Sequence, residues 1–233
     1  MDRVEHVNKS CIECIGFFIA GRIQEDFGLP GKSFLIVTWP GPSHMLPPRM
    51  IRPWQQLRSQ PSGDYRIFTV RSDEKVSPRT GLTHNFFIIE SVDWVNVLAV
   101  TPDDHLVMVE QYRHGSNTVE LETPGGIMDL TDPSPLETAV RELQEETGYS
   151  GQNPRRLGSA FANPAIMNNT CHFVLVESCT LQYPVQFDSG EDLVTRLVPI
   201  AEIPAMVAAE KIRHPLVVVA LYHFELYRRG LKS

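Results

Sequence analysis

From Trp54 onward, short apolar runs alternate with polar residues and are cut by turn signals. The runs YRIFTVRS (65–72), NFFIIES (85–91), WVNVLAVT (94–101), HLVMVEQYR (105–113) and TVELETP (118–124) are rich in Val, Ile, Phe and Tyr. They predict strands, separated by turns at TPDD and RHGSN. A loop, PGGIMDLTDPS, follows, and then the period lengthens. At about 100° per residue, Leu136, Ala139, Val140, Leu143 and Thr147 share one stripe, which predicts an amphipathic helix over 135–147. Its ends are marked in the sequence. Ser134 is a good N-cap, Pro135 suits the first helical position, Glu137 completes a capping box, and Gly148 is a natural stop. Further strands are predicted near 171–177 and 193–200, and two helices near 201–211 and 215–228. Strands, a helix, strands and helices in that order predict a layered α/β (α+β) domain. No internal repeat is visible.

Residues 1–49 have a different texture, with Gly/Pro-rich pieces such as GLPGKS and WPGPSHMLPPRM. GLPGKS ends like a phosphate-binding loop, but Asp26 stands where that loop needs its first Gly. CIEC has the spacing of a metal or redox pair, with no second pair nearby. GPSHM resembles a cloning scar, and Met45 and Met50 are alternative starting points. This segment is expected to be an irregular, dispensable extension. Residues 50–92 are expected to form antiparallel strands and 93–233 the main domain.

Composition narrows the function classes. The chain has 233 residues, 42% apolar and 21% charged, with a formal charge of −7. An acidic chain without a basic helix does not suit nucleic acid. Any phosphate chemistry must then rely on local basic residues or a metal. Four cysteines (Cys11, Cys14, Cys171, Cys179) are not a disulfide framework, so reduced thiols and a cytoplasmic setting are expected. No apolar run reaches the ~18–20 residues of a membrane span.

The stretch RELQEETGY (141–149) crowds Glu142, Glu145 and Glu146 onto one arc of the predicted helix. The bland alternative is a solvated acidic face. Against it, the cluster lies in the last turns, where the helix dipole disfavours negative charge. Glu142 and Glu146 also form a like-charge i,i+4 pair costing roughly 0.2–0.5 kcal/mol. A divalent cation reverses that penalty, and Mg²⁺ takes hard oxygen ligands together with substrate phosphates.

These residues resemble the signature of the Nudix hydrolases. Gly126 opens the motif, and Arg141-Glu142-Leu143-Gln144-Glu145-Glu146-Thr147-Gly148-Tyr149 closes it without a mismatch. The middle departs: Asp132 replaces the family's first Glu, and eight residues rather than seven separate it from Arg141. WVNVLAVTPDDHLVMVEQYRHG, VELETPGG and SAFANPAIMNNTCHFVLVE look like the ADP-ribose pyrophosphatase branch, with Pro164 about sixteen residues past the motif. The resemblance covers roughly residues 54–229. It implies a Nudix α/β/α sandwich with an N-terminal antiparallel β-sheet. In this branch that sheet often builds a homodimer, and 65–90 is the equivalent run.

The implied reaction is hydrolysis of a nucleoside diphosphate linked to a further group, such as ADP-ribose, with Mg²⁺ (or Mn²⁺). Glu142, Glu145 and Glu146 would be metal ligands, with Glu145 and Glu146 in the catalytic machinery and the Gly126 carbonyl a further ligand. Arg141 and Gly148 are expected to be structural. Arg113, ending a strand, would clamp a phosphate, against a plain surface charge. Glu122 would order a metal-bound water or a ribose. Glu191, in the acidic loop QFDSGEDLV with Asp188 and Asp192, is the expected general base, against a solvated turn. Trp54 and Trp94 are expected to pack, and His114 to be a loop residue. Tyr65 or Phe68 would stack on an adenine if the N-terminal sheet enters a partner's site. The alternatives are another substrate (GDP-mannose, NADH, a dinucleoside polyphosphate, an oxidised nucleotide), a ligand sensor on the same fold, or a purely structural module.

Overall fold

The computed structural model describes residues 50–129 and 131–231. CIEC, GLPGKS and the expected extension at 1–49 lie outside the described residues. Within Ile51–Ser233, three strands form one antiparallel sheet: β1 (Gln55–Asp64), β2 (Thr69–Val76) and β3 (Thr83–Glu90). The remaining strands form a second sheet of six. They are β4 (Trp94–Val100), β5 (His105–Arg113), β6 (Thr118–Glu122), β7 (Tyr149–Phe161), β8 (Thr170–Leu181) and β9 (Leu193–Pro199). Its order is β6-β5-β4-β8-β7, with β9 paired to β5.

The second sheet is covered on both faces. Residues alternate along a strand, so β4 sends Val95, Val97 and Ala99 one way and Leu98 the other. The first set packs with Ala139 and Leu143 of α1 (Pro135–Thr147). The second joins Val217, Ala220 and Phe224 of α3 (Pro215–Arg228). The result is the layered α/β domain expected from the element order, in the form of the α/β/α sandwich that the resemblance implies.

Helix α1 keeps its expected bounds. Ser134 Oγ accepts from the Leu136 N–H at 3.2 Å, and Gly148 takes a left-handed φ of 73° while its N–H bonds Gln144 O. A Cβ at Gly148 would lie 2.2 Å from the Tyr183 carbonyl, so only glycine fits this stop. Elsewhere the expected bounds differ. The helix expected over 201–211 is shorter, a 3-10 turn at Ile200–Glu202 followed by α2 (Ile203–Ala208). Strands β1 and β7 have no counterpart in the apolar pattern.

The central sheet forks. β4 and β5 pair only at Ala99–Val107 and Val100–Leu106, after which β6 takes over the same side of β5. The freed half of β4 bonds instead to the chain after β6: Val95 N–H to Gly126 O (2.9 Å) and Val97 N–H to Pro124 O (2.7 Å). The glycine turn is thereby pinned beside β4, at the start of the loop that leads into α1.

Candidate active site

Gly125 and Gly126 are glycines because backbone and carboxylate close on them. A Cβ at Gly125 would meet the Val95 carbonyl at 2.1 Å, and one at Gly126 would meet the Glu142 carboxyl at 2.6 Å. The Gly125 N–H donates to Glu146 Oε2 at 3.0 Å. Glu142 and Glu146 are thus drawn from α1 onto one turn of backbone, and both are buried. The apolar stripe expected on α1 is only part of its inner face: Val140 is half-buried, while these two glutamates go inside.

Burial sets their electrostatics. It pushes the Glu142 carboxyl up to about 7, against the pull of Arg141, and Glu145 and Glu191 push the same way. It pushes Glu146 up to about 8, against the Gly125 N–H, and Glu142 and Glu191 add to the rise. The Glu191 charge acts on both glutamates. Glu191 is itself tied into that loop, accepting from the Asp188 N–H at 2.9 Å.

Glu145 stands apart. Its side chain is 39% exposed and pairs with Arg141 Nη1 at 2.9 Å. Arg141 binds Glu142 Oε1 with the same nitrogen (2.9 Å) and Asp132 with Nη2 (3.0 Å). These partners raise the Arg141 pKa in spite of its partial burial. Asp132 also accepts from Thr138 Oγ1 (2.9 Å) and the Asp129 N–H (3.0 Å), so the residue that departs from the motif fastens Arg141 to the loop. Among the described residues, no group of three Asp, Glu, His or Cys side chains is gathered closely enough to hold a metal.

The donor set still fits a hard divalent cation. Burial makes two carboxylates resist ionisation in spite of Arg141 beside Glu142, and a Cβ-free turn lets the Glu142 carboxyl close on the backbone. The Gly126 carbonyl accepts from Val95, so one of its two lone pairs is already used.

A cleft of about 340 Å³ opens in the fork of the sheet, and Gly125 and Gly126 form part of its wall. Arg113 and Glu122 face it as a forked pair, Nε to Oε1 at 2.7 Å and Nη2 to Oε2 at 2.8 Å. Phe68, from the β1–β2 loop of the same chain, and Trp94 also line it. So do two residues that the sequence pattern does not single out, Asn96 and His214. A polar residue at an alternating position of an apolar strand was the available signal for Asn96. His214 carries no such signal.

Residues 91–217 match the NUDIX domain family, more than half of the chain. The chain belongs to the Nudix family. Among curated proteins it is 26% identical over 140 residues to the ADP-ribose pyrophosphatase of Bacillus subtilis, covering 60% of this chain and 75% of that one. It is 31% identical over 112 residues to the methanol dehydrogenase activator of Bacillus methanolicus, 48% of this chain and 60% of that one, less than two thirds of the relative's length. Among solved structures, an ADP compounds hydrolase superposes with a TM-score of 0.69 at 21% identity, covering 78% of this chain and 98% of the other. That likeness is one of fold. The protein is an ADP-ribose pyrophosphatase-like Nudix hydrolase, and its Nudix motif is the loop–helix–loop running from Gly126 to Tyr149.

Proposed function

We propose that this Nudix protein hydrolyses the pyrophosphate bond of ADP-ribose or a related nucleoside diphosphate sugar, giving a nucleoside monophosphate and a sugar phosphate, with Mg²⁺ as cofactor. The observation that carries this reading is the pair Glu142 and Glu146, two buried carboxylates raised to about 7 and about 8 where the glycine turn meets α1. Such a pair calls for a divalent cation, and the phosphates of a substrate supply the ligands the protein lacks. The name of the Bacillus subtilis relative supports the substrate class.

Glu142 and Glu146 would hold the ion, with Glu145 and the free lone pair of the Gly126 carbonyl as further donors. Mn²⁺ suits the same oxygen donors. Bound there, the cation would offset phosphate charge and make a water more acidic. Glu191 would accept the proton of the attacking water, since its charge already acts on both glutamates. Arg113 would turn part of its fork to a phosphate while Glu122 keeps it in place. Arg141 would hold the helix and loop together through Asp132, and Gly148 would end the helix.

Two further expectations belong to this reading. The three-stranded sheet exposes Trp54, Leu57, Phe86 and Phe87. A second copy of the chain is proposed to cover it, which light scattering after gel filtration tests. Cys171 and Cys179 are free thiols, which fits a cytoplasmic setting. A truncation starting at Met50 that keeps fold and turnover would support the dispensable extension.

The deciding experiment is turnover of ADP-ribose with and without Mg²⁺, for wild type and Glu146→Gln. AMP and ribose 5-phosphate formed only with metal, and nearly lost in the variant, is the expected result. Unchanged turnover in the variant removes the metal assignment. Binding of nucleotide sugars without cleavage would favour the sensor reading.

A further inference from the structure

His214 stands at the N-cap position of α3 without a side-chain capping bond and lines the cleft, and nothing in the Nudix motif points to it. Its Nε2 lies 4.0 Å from Glu122 Oε2, too long for a hydrogen bond. An oxygen atom lying about 2 Å to one side of the line between them would sit at ordinary hydrogen-bond length from each. Glu122 Oε2 already accepts from Arg113 Nη2, and its second lone pair remains for such an oxygen.

The imidazole is set up to donate. Burial lowers the His214 pKa; Arg113 lowers it too, while Glu122 and Glu120 pull the other way. The ring is therefore neutral at pH 7 and carries one N–H. Nδ1 is buried and has no acceptor among the described residues. The proton then belongs on Nε2, facing the gap. Asn96 Nδ2 is another buried donor at this cleft without a partner among the described residues.

The bridging oxygen must accept from His214 and donate to the Glu122 carboxylate. A phosphate oxygen only accepts, and next to a carboxylate it would be repelled. A hydroxyl does both. Building on the proposed hydrolase reading, we propose that His214 and Glu122 bracket a hydroxyl of the sugar beyond the diphosphate, so that His214 is a specificity-determining residue for nucleoside diphosphate sugars over bare nucleoside diphosphates.

The test is isothermal titration of ADP-ribose and of ADP into the full chain in EDTA, with melting curves to check folding. Wild type should bind ADP-ribose about tenfold or more tighter than ADP, a modest yield for one hydrogen bond from a neutral imidazole and one to a carboxylate. His214→Ala should lose that preference and leave ADP affinity unchanged. His214→Ser supplies a good helix cap but is too short to reach the gap, and should behave like His214→Ala. Equal wild-type affinity for the two ligands, which is also the result for a bridging water only, overturns the proposal. So does a preference that survives both substitutions, or an equal loss for both ligands. Turnover is read separately with Mg²⁺. A preference for ADP-ribose without cleavage of any nucleotide sugar overturns the hydrolase reading and leaves the subsite standing.

Discussion

Arg113 lies against Glu122 in a two-bond fork, with the carboxylate side chain 3% exposed and the guanidinium 44% exposed. One partner is thus fixed in the protein and the other open to the cleft. The arrangement holds a guanidinium at the cleft while keeping the buried charge neutralised.

Replacing Arg113 with Lys keeps the charge but not the fork. The expected outcome is a loss in kcat/KM of about tenfold or more. Arg113→Ala should also lower stability by about 1–3 kcal/mol, because Glu122 is left buried and charged. Adding Glu122→Gln to Arg113→Ala should recover part of that stability and none of the activity. Urea denaturation and initial rates read the two effects separately. Equal stability of Arg113→Ala and wild type would contradict the role given to Glu122.

The two glycines of the turn should respond differently to alanine. At Gly125 the new methyl would strike the Val95 carbonyl, which is backbone and cannot turn aside. That substitution should destabilise the fold by about 1–3 kcal/mol, as overpacking does. At Gly126 the methyl would meet the Glu142 carboxyl, the end of a flexible side chain. Gly126→Ala should therefore keep most of its stability and lose most Mg²⁺-dependent turnover. Melting temperatures with matched activity assays test the contrast, and a reversed order would sink it.

How far the sequence carries depends on whether the signal is local. Helix α1 was legible because its caps and period lie within fifteen neighbouring positions. Strand β1 was not: QQLRSQPSGD is exposed almost throughout, so its pairing with β2 leaves no apolar mark. Strand β7 hides its period behind Gly151, Pro154 and Gly158, where its register against β8 shifts. The helix expected to 211 ends early, where Glu210 takes a left-handed φ of 56°. The glutamate cluster was legible for the same local reason as α1. His214 and Asn96 were not, since each is a single residue brought to the cleft by the packing of α3 and β4.

Cys171 and Cys179 should be inert in the native protein. Both are buried, and burial pushes each thiol up to about 12, with Asp93 adding to the rise at Cys171. At pH 8 almost none of either is thiolate, the form that reacts. Iodoacetamide labelling mapped by mass spectrometry should leave both unmodified until the fold is opened with denaturant. Labelling of Cys171 within minutes under native conditions would show that the β4–β8 core opens readily.

The buried carboxylates make metal-free stability depend on pH in a definite direction. Glu146 ionises near the usual 4.5 in the unfolded chain and at about 8 in the fold. Between those values the folded protein binds more protons than the unfolded one, so stability falls as pH rises through this window. Glu146→Gln removes the effect. In EDTA the variant should match wild type near pH 5 and exceed it at pH 8.5, by an amount on the order of a few kcal/mol. Mg²⁺ should then stabilise wild type at pH 8.5, because it binds the folded state, and leave the variant almost unmoved. Thermal melts at the two pH values, with and without Mg²⁺, give all four comparisons. A variant less stable than wild type at pH 8.5 in EDTA would mean that Glu146 is satisfied by the protein alone, and the case for a cation at this turn would lose its physical basis.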